Sequence, residues 1–193
     1  MIRIAVVGDI GSGKSFISNL FNQPVFNADL EVSDIYKKDK SCFLKIKKAI
    51  PNYFSKFPLK KTELIQSILA DKQNLKKISN IIHPIVRKRL NDFLKKNKKK
   101  KLVILDIPLY FENKLNKKGD IVIYIDAKKK KILKQLKKRK NFNLSLINQL
   151  RSLQYSLGYK KKKSRFVIKN DYKIGDTQKG IKRILNKLDK WKK

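Results

Sequence analysis

The chain has one cysteine, Cys42, and one histidine, His83, in 193 residues. A lone thiol excludes an intrachain disulfide, and one thiol with one imidazole cannot build a zinc cluster of the usual spacing. Any bound metal is therefore expected to be held by oxygen. Apolar runs are short as well. None approaches the roughly 20 residues that span a bilayer, and no basic-then-apolar leader opens the chain. A cytoplasmic protein without membrane contact is the expectation. Acidic residues are scarce, 15 against 50 lysines and arginines, for a formal net charge of +35. Such a field attracts polyanions without sequence preference. The lysines, however, are spread along the whole chain and no nucleic-acid recognition motif accompanies them. They read as a composition bias on solvated positions, with no specific nucleic-acid partner expected.

What is present suffices for one folded domain with insertions, since 41% of residues are hydrophobic and 9% aromatic. Residues Ile2 to Val7 form a nearly continuous β-branched run, which predicts a strand buried on both faces of a parallel sheet. Further strands are predicted at Val25-Phe26, Leu102 to Asp106, Ile121 to Asp126 and Phe166 to Ile168. From Leu30 to about Lys100 the pattern is helical, with breaks expected at Pro51, Pro58 and Pro84. Helical spacing returns between Lys128 and Tyr159, with a turn expected at Asn141-Phe142-Asn143, and a helix closes the chain. Strands alternating with helices predict a doubly wound α/β fold, a parallel sheet flanked by helices. Ligands of such sheets gather at the carboxyl ends of the strands.

Directly after the first strand stands Gly8-Asp9-Ile10-Gly11-Ser12-Gly13-Lys14-Ser15, followed by residues with helical spacing. Chance yields roughly 0.004 matches to this phosphate-loop (P-loop) pattern in a chain of such composition, and the strand-loop-helix context is the one the motif requires. Glycines let backbone wrap closely around phosphate oxygens, and the amides from Gly11 through Phe16 face the negative charge. Lys14 is expected at the β- and γ-phosphates and the Ser15 hydroxyl on magnesium. Asp106 ends a buried strand, where a second magnesium carboxylate would sit, although a capping role also suits it and Asp126 ends a strand too. Asp29, closing the second strand, can orient or deprotonate an attacking hydroxyl, or else cap the helix that follows. His83, before Pro84, is by residue type more often structural than catalytic.

These pieces together resemble the dephospho-coenzyme A kinase family over nearly the whole chain. The markers are the Gly8 to Ser15 loop, Asn27-Ala28-Asp29, Ile82-His83-Pro84, Ile107-Pro108-Leu109-Tyr110-Phe111-Glu112 and Val167-Ile168-Lys169-Asn170. The phosphate loop is shared by many families, whereas the His-Pro and Pro-Leu-x-Phe-Glu elements are more specific.

The resemblance implies a P-loop kinase fold with a five-stranded parallel sheet, and transfer of the ATP γ-phosphoryl to the ribose 3′-hydroxyl of dephospho-coenzyme A. It implies a nucleotide core at 1–29, 101–138 and 164–193, a helical acceptor-binding insertion at 30–100 and a lid at 139–163, in a monomer using ATP and magnesium. Lys14, Asp29 and Arg139 become the catalytic groups, with Arg151 as a second choice to Arg139. Asp29, His83, Pro108, Leu109 and Glu112 line the acceptor, Ser15 and Asp106 hold the metal, and Asn170 serves at the adenine. Lys160 to Lys163 overlap a basic family position but read equally as a solvated face. The alternatives are another small-molecule or nucleoside monophosphate kinase on the same fold, or a basic nucleic-acid-binding P-loop protein. Asp9 departs from the family's usual glycine, Phe16 from threonine, Asn27 from aspartate and Arg165 from an acid. Asp9 puts a negative charge beside the phosphate loop.

Overall fold

The β-branched run at the start of the chain forms strand β1 (Ile2–Gly8), whose residues Ile4 to Val7 are all but inaccessible to solvent. Burying side chains of this size contributes about 1.5–3 kcal/mol each before entropy is charged against it. The computed structural model describes residues 1–139 and 142–190. After β1 the order is α1 (Lys14–Leu20), β2 (Val25–Asn27), α2 (Ala28–Lys38), α3 (Lys40–Ala49), α4 (Lys61–Ala70) and α5 (Lys72–Lys96). Then follow β3 (Leu102–Asp106), β4 (Ile121–Asp126), α6 (Lys129–Lys137), α7 (Leu144–Ser152), α8 (Leu157–Lys162), β5 (Phe166–Lys169) and α9 (Ile174–Lys190).

The five strands lie in the order β2-β3-β1-β4-β5, with β1 parallel to both neighbours and β4 parallel to β5. This is the parallel sheet flanked by helices that the alternating pattern predicts. The chain crosses from one side of β1 to the other between β3 and β4, so the loop after β1 opens at the topological switch point. Register then fixes its neighbours, because Val6 stands opposite Asp106 on β3 and Gly8 opposite Ile125 on β4.

The chain divides into two compact units. The first, residues 1–26, 97–142 and 151–193, has its core in β-branched sheet residues such as Ile4, Val6, Ile104 and Ile123, against Ile17 of α1 and Ile181, Ile184 and Leu188 of α9. The second, residues 27–96 and 143–150, is centred on Ile35, Phe43, Ile46, Phe54, Ile78 and Ile82. Within it Arg89 of α5 ties down α2 by contacts to Glu31 at 2.8 Å and Asp34 at 2.9 Å.

Two of the three expected helix breaks occur, at Pro51 and Pro58, which fall between α3 and α4. Pro84 does not break its helix: α5 runs through it for 25 residues. A proline ring removes one ladder bond and crowds the carbonyl four residues earlier. Here Ile78, Ile82 and Leu90, buried on both sides of the proline, hold one continuous face against the core. Of the turn expected at 141–143, Asn141 lies outside the described residues. Asn143 caps α7, its Oδ1 accepting from Leu146 N at 2.9 Å. Among the described residues no helix is long and apolar enough to cross a membrane.

Candidate active site

Between β1 and α1 the backbone turns through two glycines, both at positive φ and both closely approached by other side chains. Gly11 has φ +83°, and a Cβ there would lie 2.8 Å from the Leu136 side chain. Gly13 has φ +91°, and its Cβ would lie 2.4 Å from Asn170 Nδ2. The loop is closed on itself by Ser12 N donating to Asp9 O at 3.1 Å, and α1 starts with Ile17 N donating to Gly13 O at 3.0 Å. The amides of Ser15 and Phe16 stand ahead of that first ladder bond, in the stretch that a helix leaves for other acceptors. Lys14, 9% exposed, lies across the loop and donates to Gly8 O at 3.2 Å and Asp9 O at 2.8 Å. Ser12 Oγ is fully buried and has no hydrogen-bond partner among the described residues. A glycine loop closed over an ammonium, with helix-start amides and a buried, unpartnered hydroxyl on it, is a chemical fit to phosphate oxygens.

The loop is braced from behind by residues after β5. Asn170 takes its position from its N–H, which donates to Asp126 O at 2.8 Å. Its Nδ2 donates to Ser12 O at 2.8 Å while its Oδ1 accepts from Tyr172 N at 2.8 Å. The Tyr172 hydroxyl in turn donates to Gly11 O at 2.8 Å. Burial raises the Tyr172 pKa, with the Asp9 charge adding to it and Arg139 opposing, so the phenol keeps the proton it donates. Arg139 thus lies within electrostatic reach of the loop's brace; it is exposed, just beyond α6. Tyr172 carries no motif signal, and only the fold reveals its part. Asn170, expected at the adenine, thus ties the loop to the Tyr172 backbone through its two polar side-chain atoms.

Beside this brace a cleft of ≈ 250 Å³ is lined by Asp126, Lys128, Lys131, Lys169, Asn170 and Asp171. Asp126 there is paired with Lys161 at 2.8 Å. Asp106, by contrast, is 2% exposed at the carboxyl end of β3, next to the strand that feeds the loop. The structure therefore separates the two strand-end acids that the sequence leaves equivalent. Among the described residues no three His, Cys, Asp or Glu side chains gather as a metal cage. The hydroxyl of Ser15 and the carboxylate of Asp106 are the hard oxygen donors that suit a magnesium ion completed by water and phosphate.

Asp9, the acid within the loop, is turned to Arg151 of α7. Its Oδ1 accepts from Ile10 N at 2.7 Å and from Arg151 Nε at 3.1 Å, and its Oδ2 from Arg151 Nη2 at 3.0 Å.

The Pro108 to Glu112 segment follows β3 as a turn. Tyr110 is fully buried, with its hydroxyl on Asp120. The Glu112 side chain is 8% exposed, pairs with Lys160 Nζ at 2.9 Å and accepts from Tyr155 N at 2.7 Å. Lys160 is 0% exposed and also donates to Gln154 Oε1 at 2.7 Å. A buried ammonium requires such partners, so this lysine belongs to the interior while Lys161, Lys162 and Lys163 stay exposed. Pro108 and Leu109 remain partly open.

In the second unit Asn27 accepts from Leu30 N at 2.9 Å and is the N-cap of α2. Asp29 is therefore released from the capping role; it is exposed in the first turn of α2. His83 is half-buried on α5, and burial, with Arg87 second, lowers its pKa. At neutral pH the imidazole is uncharged. Because the folded value lies below the usual value of about 6.5, the unfolded chain binds more protons between the two. The contribution of His83 to stability is intact above pH ~6.5 and is lost as pH falls through the folded value. An NMR titration of this sole imidazole will give a midpoint below about 6.5; a midpoint at or above it would contradict the burial.

The family model for dephospho-CoA kinase matches residues 2–176. A dephospho-CoA kinase of Wolbachia pipientis wMel is 33% identical over 170 residues, covering 86% of this chain and 87% of the relative. Among solved structures, a protein of Thermus thermophilus superposes with a TM-score of 0.78 at 24% identity, over 97% of both chains. The dephospho-CoA kinase from Campylobacter jejuni does so with a TM-score of 0.61 at 24% identity, over 96% of both. The structural likenesses carry the fold alone. The family match and the Wolbachia identity carry the rest: this chain belongs to the dephospho-CoA kinase family, ATP-dependent kinases that catalyse the last step of coenzyme A biosynthesis.

Proposed function

We propose that this chain passes the γ-phosphoryl of ATP to the ribose 3′-hydroxyl of dephospho-coenzyme A, with Lys14, Asp29 and Arg139 as its catalytic groups. The observation that carries this is the phosphate loop of β1, with Lys14 lying across it and the buried Asp106 carboxylate on the neighbouring strand. Transfer of this kind demands positioning and charge collection more than covalent chemistry. The amides of Gly11 to Phe16 receive the phosphates, and Lys14 leaves its loop carbonyls for the β- and γ-oxygens. Asp29 accepts the proton of the attacking hydroxyl, and Arg139 collects charge on the transferring phosphate. Magnesium, held by Ser15 and Asp106 when bound, would neutralise phosphate oxygens.

The base end of ATP takes the cleft at Asp126, Lys128 and Lys169, and Asn170 couples that cleft to the loop by its bond to Ser12 O. Asn170, which lines that cleft, thereby serves the base end of the nucleotide and positions the loop together. His83, Pro108 and Leu109 contribute to the acceptor site; Glu112 supports it from the interior through Lys160. Residues 30–100 serve as the acceptor insertion and 139–163 as the lid, in a cytoplasmic monomer. The net charge of +35 draws both anionic substrates.

The test is ADP release from ATP and magnesium with dephospho-coenzyme A, shikimate or nucleoside monophosphates offered separately, with product mass determined. Turnover with dephospho-coenzyme A alone, adding one phosphate, is the expected result. Activity with another acceptor and none with dephospho-coenzyme A would remove the acceptor assignment and leave a P-loop kinase.

A further inference from the structure

An acid inside a loop built for phosphate is a liability unless something cancels it. Asp9 is 7% exposed, and its backbone carbonyl is part of the loop's interior, where it accepts from Lys14 Nζ at 2.8 Å and from Ser12 N at 3.1 Å. An unpaired carboxylate at this place would oppose every phosphate of a bound nucleotide, the more so because it is shielded from water. The Arg151 guanidinium cancels that charge and does so by a fork, Nε to Oδ1 at 3.1 Å and Nη2 to Oδ2 at 3.0 Å. The same Oδ1 accepts from Ile10 N at 2.7 Å, so the loop backbone orients the carboxylate and the carboxylate orients the arginine.

The residue type is itself informative. Of 50 basic residues only seven are arginine: Arg3, Arg87, Arg89, Arg139, Arg151, Arg165 and Arg183. Two others also sit on carboxylates, Arg3 on Asp120 and Arg89 on Glu31 and Asp34. At Asp9 the planar fork matters, since an ammonium cannot hold the two carboxylate oxygens in one fixed plane. The fork to Asp9 uses one edge only. Nη1 lies outside it, on a side chain 38% exposed beside the phosphate loop.

We propose that Asp9 is a positioning residue for phosphoryl transfer: it docks Arg151 on the phosphate loop by the Nε and Nη2 edge and leaves Nη1 to meet a phosphate oxygen of the nucleotide. This rests on the ATP-dependent reading above. The loop then presents two arginines, Arg139 near its brace and Arg151 at Asp9, and the acid costs no affinity because its charge is already spent.

The experiment is a double-mutant cycle on Asp9→Asn, Arg151→Ala and the double variant, with Arg151→Lys as the conservative replacement. Each is assayed for kcat and KM(ATP) with dephospho-coenzyme A, and ATP affinity is measured calorimetrically without acceptor. Both single variants should lose about tenfold or more in kcat, with a smaller rise in KM(ATP), because the contact strengthens as charge develops. The double variant should match Arg151→Ala within about twofold, since Asp9 acts through the arginine. Arg151→Lys, which keeps the charge but not the fork, should restore little. Undiminished or raised kcat in Asp9→Asn, losses that multiply in the double variant, or full rescue by lysine would each overturn the proposal. Melting curves check that each variant is folded, and Asp9→Ala replaces any Asp9→Asn protein that is not. Should the wild-type chain phosphorylate no acceptor offered, the functional reading fails, yet the calorimetric cycle still reports whether Asp9 and Arg151 act on ATP as one unit.

Discussion

Lys14→Ala will lower kcat by about a thousandfold or more, the scale of losing a preorganised cation from a phosphoryl-transfer site. The structure says why the loss is one of chemistry and not of folding. Lys14 Nζ spans the loop between Gly8 O at 3.2 Å and Asp9 O at 2.8 Å, and it is 9% exposed. Truncation removes two hydrogen bonds from a charged donor, each worth about 1.5–3 kcal/mol, but also removes the cost of keeping an ammonium from water. These oppose each other, leaving about 1 kcal/mol, which moves the melting temperature by about 2–4 °C in a chain of this size. Calorimetric melting and ADP release measured on the same preparation separate the two effects. A rate within tenfold of wild type would remove Lys14 from the mechanism.

Asp29→Asn comes next, with an expected loss of about 10²- to 10⁴-fold in single-turnover phosphoryl transfer, as for removal of a general base. The variant is informative because α2 does not depend on this side chain for its start. Asn27 caps the helix through Leu30 N, and asparagine serves that purpose as well as aspartate. Loss of an acid from the first turn costs about 0.3–1 kcal/mol, so the helix persists. ATP affinity, measured by titration without acceptor, should be unchanged within about twofold, since binding to the phosphate loop is assigned to other residues. Equal losses in ATP affinity and rate would place Asp29 at the nucleotide and end its assignment as base.

The phosphate loop was legible because all its parts are contiguous. Eight consecutive residues specify the turn, the cation and the helix entry, and the strand ahead of it announces itself by β-branched residues alone. The strands at Leu102 and Ile121 were legible for the same reason: each is buried throughout its apolar run. Reading failed where a local rule met tertiary packing. Pro84 has the composition of a break, yet α5 continues through it because the apolar face on either side is held by the core. A capping role was open to Asp29, and only the structure shows that Asn27 accepts the bond from Leu30 N.

Residue pairings across the chain lay beyond any such pattern. Asp9 and Arg151 are 142 residues apart, Ser12 and Asn170 are 158, and nothing in the intervening sequence marks either pair. They meet because strand order brings the loop after β1 beside the segments around β4 and β5. Lys160 stands in a run of four lysines with one composition and opposite fates: it is buried against Glu112 while its three neighbours face water. Contiguous residues carry the elements, the phosphate loop and the family's markers, because dihedral preference and hydrophobic period act over a few positions. Which acid flanks the loop, which asparagine braces it and which arginine neutralises Asp9 depend on packing order and on burial, and these exist only once the sheet has formed.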